Sequence, residues 1–191
     1  MASRQRPGAS RVHPMSAPTL TFSVATLPSP LGGMLIVSDS EQRLRALNWQ
    51  DREDRMVREL ARIYGRKAVR LERGSAPAVI SRALQRYFAG KLLAIDEIAI
   101  ETGGTPFQSN VWRALRKIPV GTTLSYGRLA DRLKCPLAVR AVGFANGSNP
   151  ISVVVPCHRL IGADGSLTGY GGGLERKQWL LEHEGVRCGE W

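Results

Sequence analysis

Apolar and polar residues alternate through "TLTFSVATL" (residues 19–27), the two-residue period of a half-buried strand. "SPLGG" follows as turn chemistry, and "MLIVSD" and "LRALNW" predict two more short strands. The period then lengthens. In "DREDRMVRELARIYG", Met56, Leu60 and Ile63 recur at helical spacing, with Asp51 expected as the cap and Gly65 as the stop. "KAVRLER" predicts a strand. "SAPAVISRALQRYFAGK" predicts a helix with Leu84, Tyr87 and Phe88 on one face. This front half reads as a small α+β unit without a recognisable catalytic cluster.

"ETGGT" (101–105) reads as a linker. In "TPFQSNVWRALRKI", Thr105 is the expected N-cap, Pro106 takes the first helical position, and Phe107, Val111, Leu115 and Ile118 form the apolar stripe. "SYGRLADRLK", capped by Ser125, and "LAVRAVGFAN" flank a turn at Cys135-Pro136, the outline of a helix-turn-helix. "ISVVV" predicts a strand and "PCHRLIGADGSLTGYGGG" a glycine-rich loop. "LERKQWLLEHEG" predicts a last helix with Leu174, Trp179, Leu180 and Leu181 inward and Gly185 closing it. The expected organisation is a disordered basic tail over 1–17, with Met15 a candidate start, an α+β domain over 18–100 and a second domain over 101–191.

Composition narrows the setting. A 191-residue chain that is 43% hydrophobic can build one core or two small ones. No window of 18 apolar residues occurs, and the arginine-containing N-terminus lacks the apolar segment of a secretory signal, so no membrane partner and a cytoplasmic location are expected. Three widely spaced cysteines make neither a disulfide framework nor a metal motif, and no metal or cofactor is expected. The net charge of +11 favours a polyanion, of which nucleic acid is the commonest.

The chemistry concentrates in "VVVPCHRL" (153–160). Pro156 ends the predicted strand and leaves Cys157 at a loop entrance, with His158 and Arg159 beside it to favour a thiolate. Neighbours in an extended segment face opposite ways, so His158 would reach the sulfur through a water. Cys135 and Cys188 lack such neighbours and read as buried small hydrophobes. His183 reads as structural. "GYGGG" lacks the Lys-Ser/Thr of a phosphate loop and reads as backbone lying close to a ligand. These residues leave three readings open: a Cys–His hydrolase, a helix-turn-helix protein without chemistry, and, on spacing that fits no template, a zinc site.

The stretches "TPFQSNVWRALRKIPVGTTLSYGRLA", "RAVGFAN", "NGSNPISVVVPCHRLIG" and "LTGYGGGLERKQWLLEHEG" together resemble the O6-alkylguanine-DNA alkyltransferase family. "SPLGGMLIVSD" and "RALQRYFAGK" extend the resemblance loosely into the front half. It implies an RNase-H-like N-terminal domain and a winged-helix-like C-terminal one. It further implies irreversible, single-use transfer of an alkyl group from guanine O6, or thymine O4, in double-stranded DNA, by a monomer without a cofactor. By position, Cys157 is the acceptor, His158 takes the thiol proton through water, and Glu184 orients the imidazole. Asn149 braces the active-site turn, Tyr126 donates a proton to the departing guanine, and Lys177 lies near the site. Arg140 is the finger that fills the gap left by a flipped nucleotide. Ser125, Tyr126, Ala141 and Gly143 face DNA, and Val155, Pro156, Tyr170 and Gly171 wall the pocket. Gly171 stands where some relatives carry a hydroxyl. An N-terminal cysteine cluster, as in the adaptive-response regulators of this family, is missing, and so are ligands for the structural zinc of some relatives.

Overall fold

In the computed structural model, residues 20–65 and 68–187 are described. The expected tail and Cys188 lie outside them. Strands β1 (Leu20–Leu27), β2 (Met34–Ser38), β3 (Leu44–Trp49) and β4 (Val69–Arg73) form one sheet in the order β3-β2-β1-β4. β2 is antiparallel to both β1 and β3, while β4 runs parallel to β1, so the helix α1 (Glu53–Tyr64) lies between the strands β3 and β4 in the chain. The alternation seen in the sequence sorts the two faces. Phe22, Leu35, Val37 and Ala46 pack under Met56 and Leu60 of α1. Met34, Ile36, Leu47 and Trp49 face the other way, toward Ile80, Ala83, Leu84 and Tyr87 of α2 (Ala78–Phe88).

That second core does not stop at the N-terminal domain. It continues through Val111, Trp112 and Leu115 of α3 (Pro106–Leu115), Leu129 of α4 (Tyr126–Arg132), Val142 and Ala145 of α5 (Val139–Gly147), and Leu180 of α6 (Leu174–His183). Backbone also crosses the junction: Leu47 N–H donates to Pro150 O at 3.0 Å, and Ser152 N–H donates to Leu47 O at 2.9 Å. The segment that leads into Cys157 is therefore pinned to β3. A two-residue strand β5 (Leu124–Ser125) pairs in parallel with β6 (Leu160–Ile161) and ties the start of α4 to the far side of the Cys157 turn. The fold is α+β, with a sheet domain followed by a helical domain that carries the helix-turn-helix α4–α5.

Several local expectations hold for the reasons given. Thr105 Oγ1 accepts from Gln108 N–H at 3.2 Å and Gln108 Oε1 accepts from Thr105 N–H at 2.9 Å, a complete capping box with Pro106 at the first position. Ser125 caps α4 through Arg128 N–H, and Gly65 ends α1 at φ 95°.

Others are corrected. Asp51 is not the cap of α1: a single 3-10 turn (Gln50–Arg52) intervenes, and Asp51 pairs with Arg176 at 3.0 Å. "ISVVV" is no strand beyond the one bridge at Ile151; residues 152–155 form a turn, with Val153 in the left-handed region at φ 67°. An apolar β-branched run looks like a strand in sequence, but here its side chains are buried one by one in the shared core. On α6, Leu174 is exposed and Lys177 points inward in its place, because the inward face runs through 177, 180, 181 and 184.

Removing the Thr105 side chain tests how far the capping box holds α3. Thr105→Ala should lower unfolding stability by about 1 kcal/mol, read as a lower denaturant midpoint at an unchanged m-value; an unaltered midpoint would show the box to be idle.

Candidate active site

Asn149 organises the turn. Its Oδ1 accepts from Ile151 N–H at 3.0 Å, while its Nδ2 lies 3.1 Å from Ile151 O, 2.9 Å from Val155 O and 3.1 Å from Cys157 Sγ. Cys157 N–H donates back to Val155 O at 2.7 Å. One amide thus closes the loop, holds the left-handed Val153 in place, and points a donor at the sulfur. A β-branched residue at positive φ costs about 1–3 kcal/mol, and burial of Val153 in the core helps to hold it there. Val155 is fully buried and offers its carbonyl to this network; Pro156 is buried beside it.

Cys157 is 5% exposed, more enclosed than a loop-entrance thiol would be. Burial pushes its pKa up, and the Asn149 bond and the charges of Lys177 and Arg55 offset this only in part. The resting group is therefore a thiol at neutral pH. The expected stabilisation by Arg159 is corrected: that guanidinium faces away, toward Glu184 and the Ile118 carbonyl. Lys177 takes its place. It is fully buried, its ammonium donates to Thr168 O at 2.6 Å and to Leu160 O, and burial lowers its pKa to about 8 against the pull of Cys157.

His158 and Glu184, which the family resemblance pairs, lie in contact. His158 Nε2 lies 3.0 Å from Glu184 Oε1, both side chains out of contact with solvent. With Nε2–H donating to the carboxylate, Nδ1 carries the lone pair, and Nδ1 has no protein partner. Glu184 also accepts two bonds from Arg159, Nε to Oε2 at 2.8 Å and Nη2 to Oε1 at 2.9 Å, and one from Tyr87 Oη at 2.8 Å. Burial opposes its ionisation, but His158 and Arg159 outweigh this and hold the carboxyl far below its usual range. Burial lowers the pKa of His158, with Glu184 opposing. The imidazole is therefore neutral at rest, beside an anion that would stabilise its protonated form.

Tyr87 and Arg55 are the residues that sequence reasoning missed. Tyr87 read as one more apolar position of α2, yet its hydroxyl donates to the Glu184 carboxylate from the other domain. Its place on an aromatic face left no signal of this in the sequence. Arg55 donates to Gly147 O, at the end of α5, and its guanidinium covers Gly171, where a Cβ would sit 3.1 Å from Nε. Gly172 is constrained further. A Cβ there would fall 2.5 Å from the Trp49 ring and 2.8 Å from Tyr170, so only glycine lets the loop settle on β3. Tyr170 stands edge-on to both Trp49 (6.1 Å) and His158 (6.3 Å). His183 is structural as expected: Nε2–H donates to Tyr87 O at 2.9 Å and its ring stacks on Trp179 at 4.7 Å.

The remaining predicted residues flank this site. Tyr126 opens α4, its hydroxyl 3.4 Å from Thr168 Oγ1, and burial raises its pKa so that it stays protonated. Ser125 is half-buried as the cap. On α5, Arg140, Ala141, Phe144 and Gly147 form the exposed face. Gly143 turns inward instead, and a Cβ there would lie 3.8 Å from the Tyr126 ring. α5 thus presents a face on which Arg140 and Phe144 project between the small residues Ala141 and Gly147.

Two family models match the chain. The ribonuclease-like domain of 6-O-methylguanine DNA methyltransferase covers residues 23–102, and the DNA binding domain of the same proteins covers 106–186. The chain is 50% identical over 159 residues to the methylated-DNA–protein-cysteine methyltransferase of Shigella flexneri, spanning 83% of this chain and 93% of that protein. It is 40% identical to the protein of the same name from Methanosarcina acetivorans over 84% and 97%. Its backbone superposes on Mycobacterium tuberculosis OGT in complex with DNA with a TM-score of 0.67 at 38% identity, covering 86% of this chain and 92% of that one. With both halves matched in order, the chain belongs to the 6-O-methylguanine DNA methyltransferase family.

Proposed function

We propose that this protein repairs alkylated DNA by direct reversal, moving the alkyl group from guanine O6, or thymine O4, to Cys157 Sγ. One observation carries the reading: a buried thiol held by Asn149 lies beside an imidazole whose Nε2 is fixed on a carboxylate and whose Nδ1 is unpaired. Because Cys157 rests as a thiol, transfer begins with loss of its proton. His158 Nδ1 accepts it through a bridging water, and Glu184 stabilises the resulting imidazolium. The Lys177 charge favours the thiolate. Sγ then attacks the alkyl carbon, the C–O6 bond breaks, and its electron pair stays on the base. Tyr126, kept protonated by its burial, supplies a proton to the departing purine.

The acceptor is enclosed, so the base has to leave the duplex to reach it, at a cost of a few kcal/mol. Arg140, exposed at the start of α5, fills the gap. The face it shares with Ala141, Phe144 and Gly147 enters the minor groove, where base edges carry little sequence information. Such binding suits a protein that acts in any sequence context. Tyr170, Pro156 and Gly171 wall the pocket for the flipped base. The product is a thioether, a poor leaving group, and no second nucleophile faces it among the described residues, so each molecule acts once. The protein acts as a monomer in this reading, since the acceptor, the relay and Arg140 need no group from a second copy. Free Cys135 and Cys157 fit a reducing compartment such as the cytoplasm.

Incubation with duplex containing O6-methylguanine should add a single methyl mass to the Cys157 peptide, and Cys157→Ala should bind DNA without repairing it. Repair with Cys157 unmodified would overturn the reading. Glu184→Gln should slow transfer by about 10²-fold or more while DNA affinity changes little; equal rates would remove Glu184 from the relay. The same cluster sets the acid limit of stability. Glu184 has its folded pKa below the ordinary 4.5, so its stabilisation is full above that pH and is lost as pH falls toward the folded value. His158 has its pKa lowered from 6.5, so below that pH protonation favours the unfolded chain. Denaturant midpoints should therefore decline from pH 6.5 downward, and Glu184→Gln should flatten the part below pH 4.5. An equally steep fall in the variant would place the acid sensitivity elsewhere.

A further inference from the structure

The positive charge of this chain is distributed unevenly, in a way the active site does not use. In the N-terminal domain arginines are neutralised locally: Arg43 and Arg45 by Asp39, Arg62 by Glu59, Arg70 by Glu72, Arg86 by Glu97. The stretch from residue 106 to 150 carries seven cations and one carboxylate, Asp131. None of the seven is ion-paired among the described residues. Arg113 turns to Asn110 Oδ1 and Ser109 O, and Arg116 to Asp96 O, all neutral acceptors that leave the charge intact.

Four of these cations converge. Arg113, Arg116 and Lys117 on and just after α3, with Arg132 at the end of α4, line a cleft of about 640 Å³. Its place relative to the exposed face of α5 is fixed by two bonds. Gln108 Nε2 donates to Ser148 Oγ at 2.9 Å, and Trp112 Nε1 donates to Ala145 O at 2.8 Å. The two helices thus run antiparallel, and the C-terminal half of α3 lies toward the N-terminal end of α5, where Arg140 is exposed. The chain between Arg132 and Arg140 is a compact connection holding one 3-10 turn (Pro136–Ala138), so the cleft borders that same end.

Like charges held together without counter-ions repel one another, and an incoming polyanion relieves the repulsion. A helix laid in a DNA groove is flanked by phosphates at its ends. We infer that the α3–α4 cleft is a second binding surface for the same duplex, gripping the phosphate backbone beside the N-terminal end of α5. This deepens the proposed function and rests on its assignment of α5 to DNA. Phosphate contacts fix register without reading sequence. The cleft would hold the duplex while Arg140 replaces the flipped nucleotide.

The test is the salt dependence of binding to unmodified duplex, which does not depend on alkyl transfer. Arg113, Lys117 and Arg132 are exposed, so a triple Arg113→Ala, Lys117→Ala, Arg132→Ala variant should fold. Arg70, Arg73 and Arg82, exposed in the N-terminal domain, give a control triple with the same change in net charge. Each cation that no longer meets a phosphate should reduce the slope of log affinity against log salt by about 0.9, giving a fall of about 2 to 3 in the cleft triple and much less in the control. Equal slopes in cleft triple and wild type, or equal reductions in the two triples, would overturn the inference. So would saturation at two duplexes per chain, since the cleft would then hold a separate segment. A wild-type protein that binds duplex but leaves Cys157 unmethylated would sink the acceptor reading and leave the slopes to decide the cleft.

Discussion

The Glu184 carboxylate is the point on which the site depends. It is buried, and a buried charge persists only where partners replace its lost hydration. Here Arg159 supplies two bonds, Tyr87 one and His158 one. The four groups come from α2, the Cys157 turn and the end of α6. Orienting the imidazole and joining the two domains are therefore the same act. The carboxylate that fixes the tautomer of His158 also fixes where the sheet domain sits against the helical one.

Part of the unusual backbone of the chain serves this site. Val153 at positive φ, the Asn149-braced turn and the close seating of Gly172 on Trp49 are all arranged so that Cys157 faces Tyr170 and Lys177 rather than solvent. Enclosure has an electrostatic consequence. It raises the pKa of the thiol and lowers those of His158 and Lys177, so the thiol and the imidazole rest uncharged and the ammonium is closer to losing its proton, while Glu184 alone stays fully ionised. Such a site keeps its nucleophile unreactive until a proton is moved.

The N-terminal domain takes a direct part in this. Trp49 backs the pocket loop, Arg55 bonds the last carbonyl of α5 and covers Gly171, and Tyr87 reaches Glu184. From periodicity alone each was a core or surface position. A tyrosine on an apolar stripe looks the same whether its hydroxyl meets water or a buried carboxylate, because the difference lies in what packs against it. Lys177 shows the converse. The resemblance puts Lys177 near the site, but the periodicity of the last helix counts Leu174, about one turn before it, and not Lys177 among the inward positions. Carbonyl oxygens of Leu160 and Thr168 invert the two by giving the ammonium its partners inside.

The sequence by itself determined the elements that local chemistry controls: alternating strands, the Thr105 and Ser125 caps, the Gly65 stop and the Cys-His pair after a proline. It also carried Cys157, His158 and Glu184 as a set through family resemblance. Only the tertiary structure decided that "ISVVV" is a turn rather than a strand, that Arg159 serves Glu184 and not the thiol, and that the cations of α3 and α4 share a cleft. The reason is one of range. Caps, turns and periodicity depend on residues three or four apart, whereas burial, charge pairing and pKa depend on groups brought together from far along the chain, as Asp51 and Arg176 are across 125 positions.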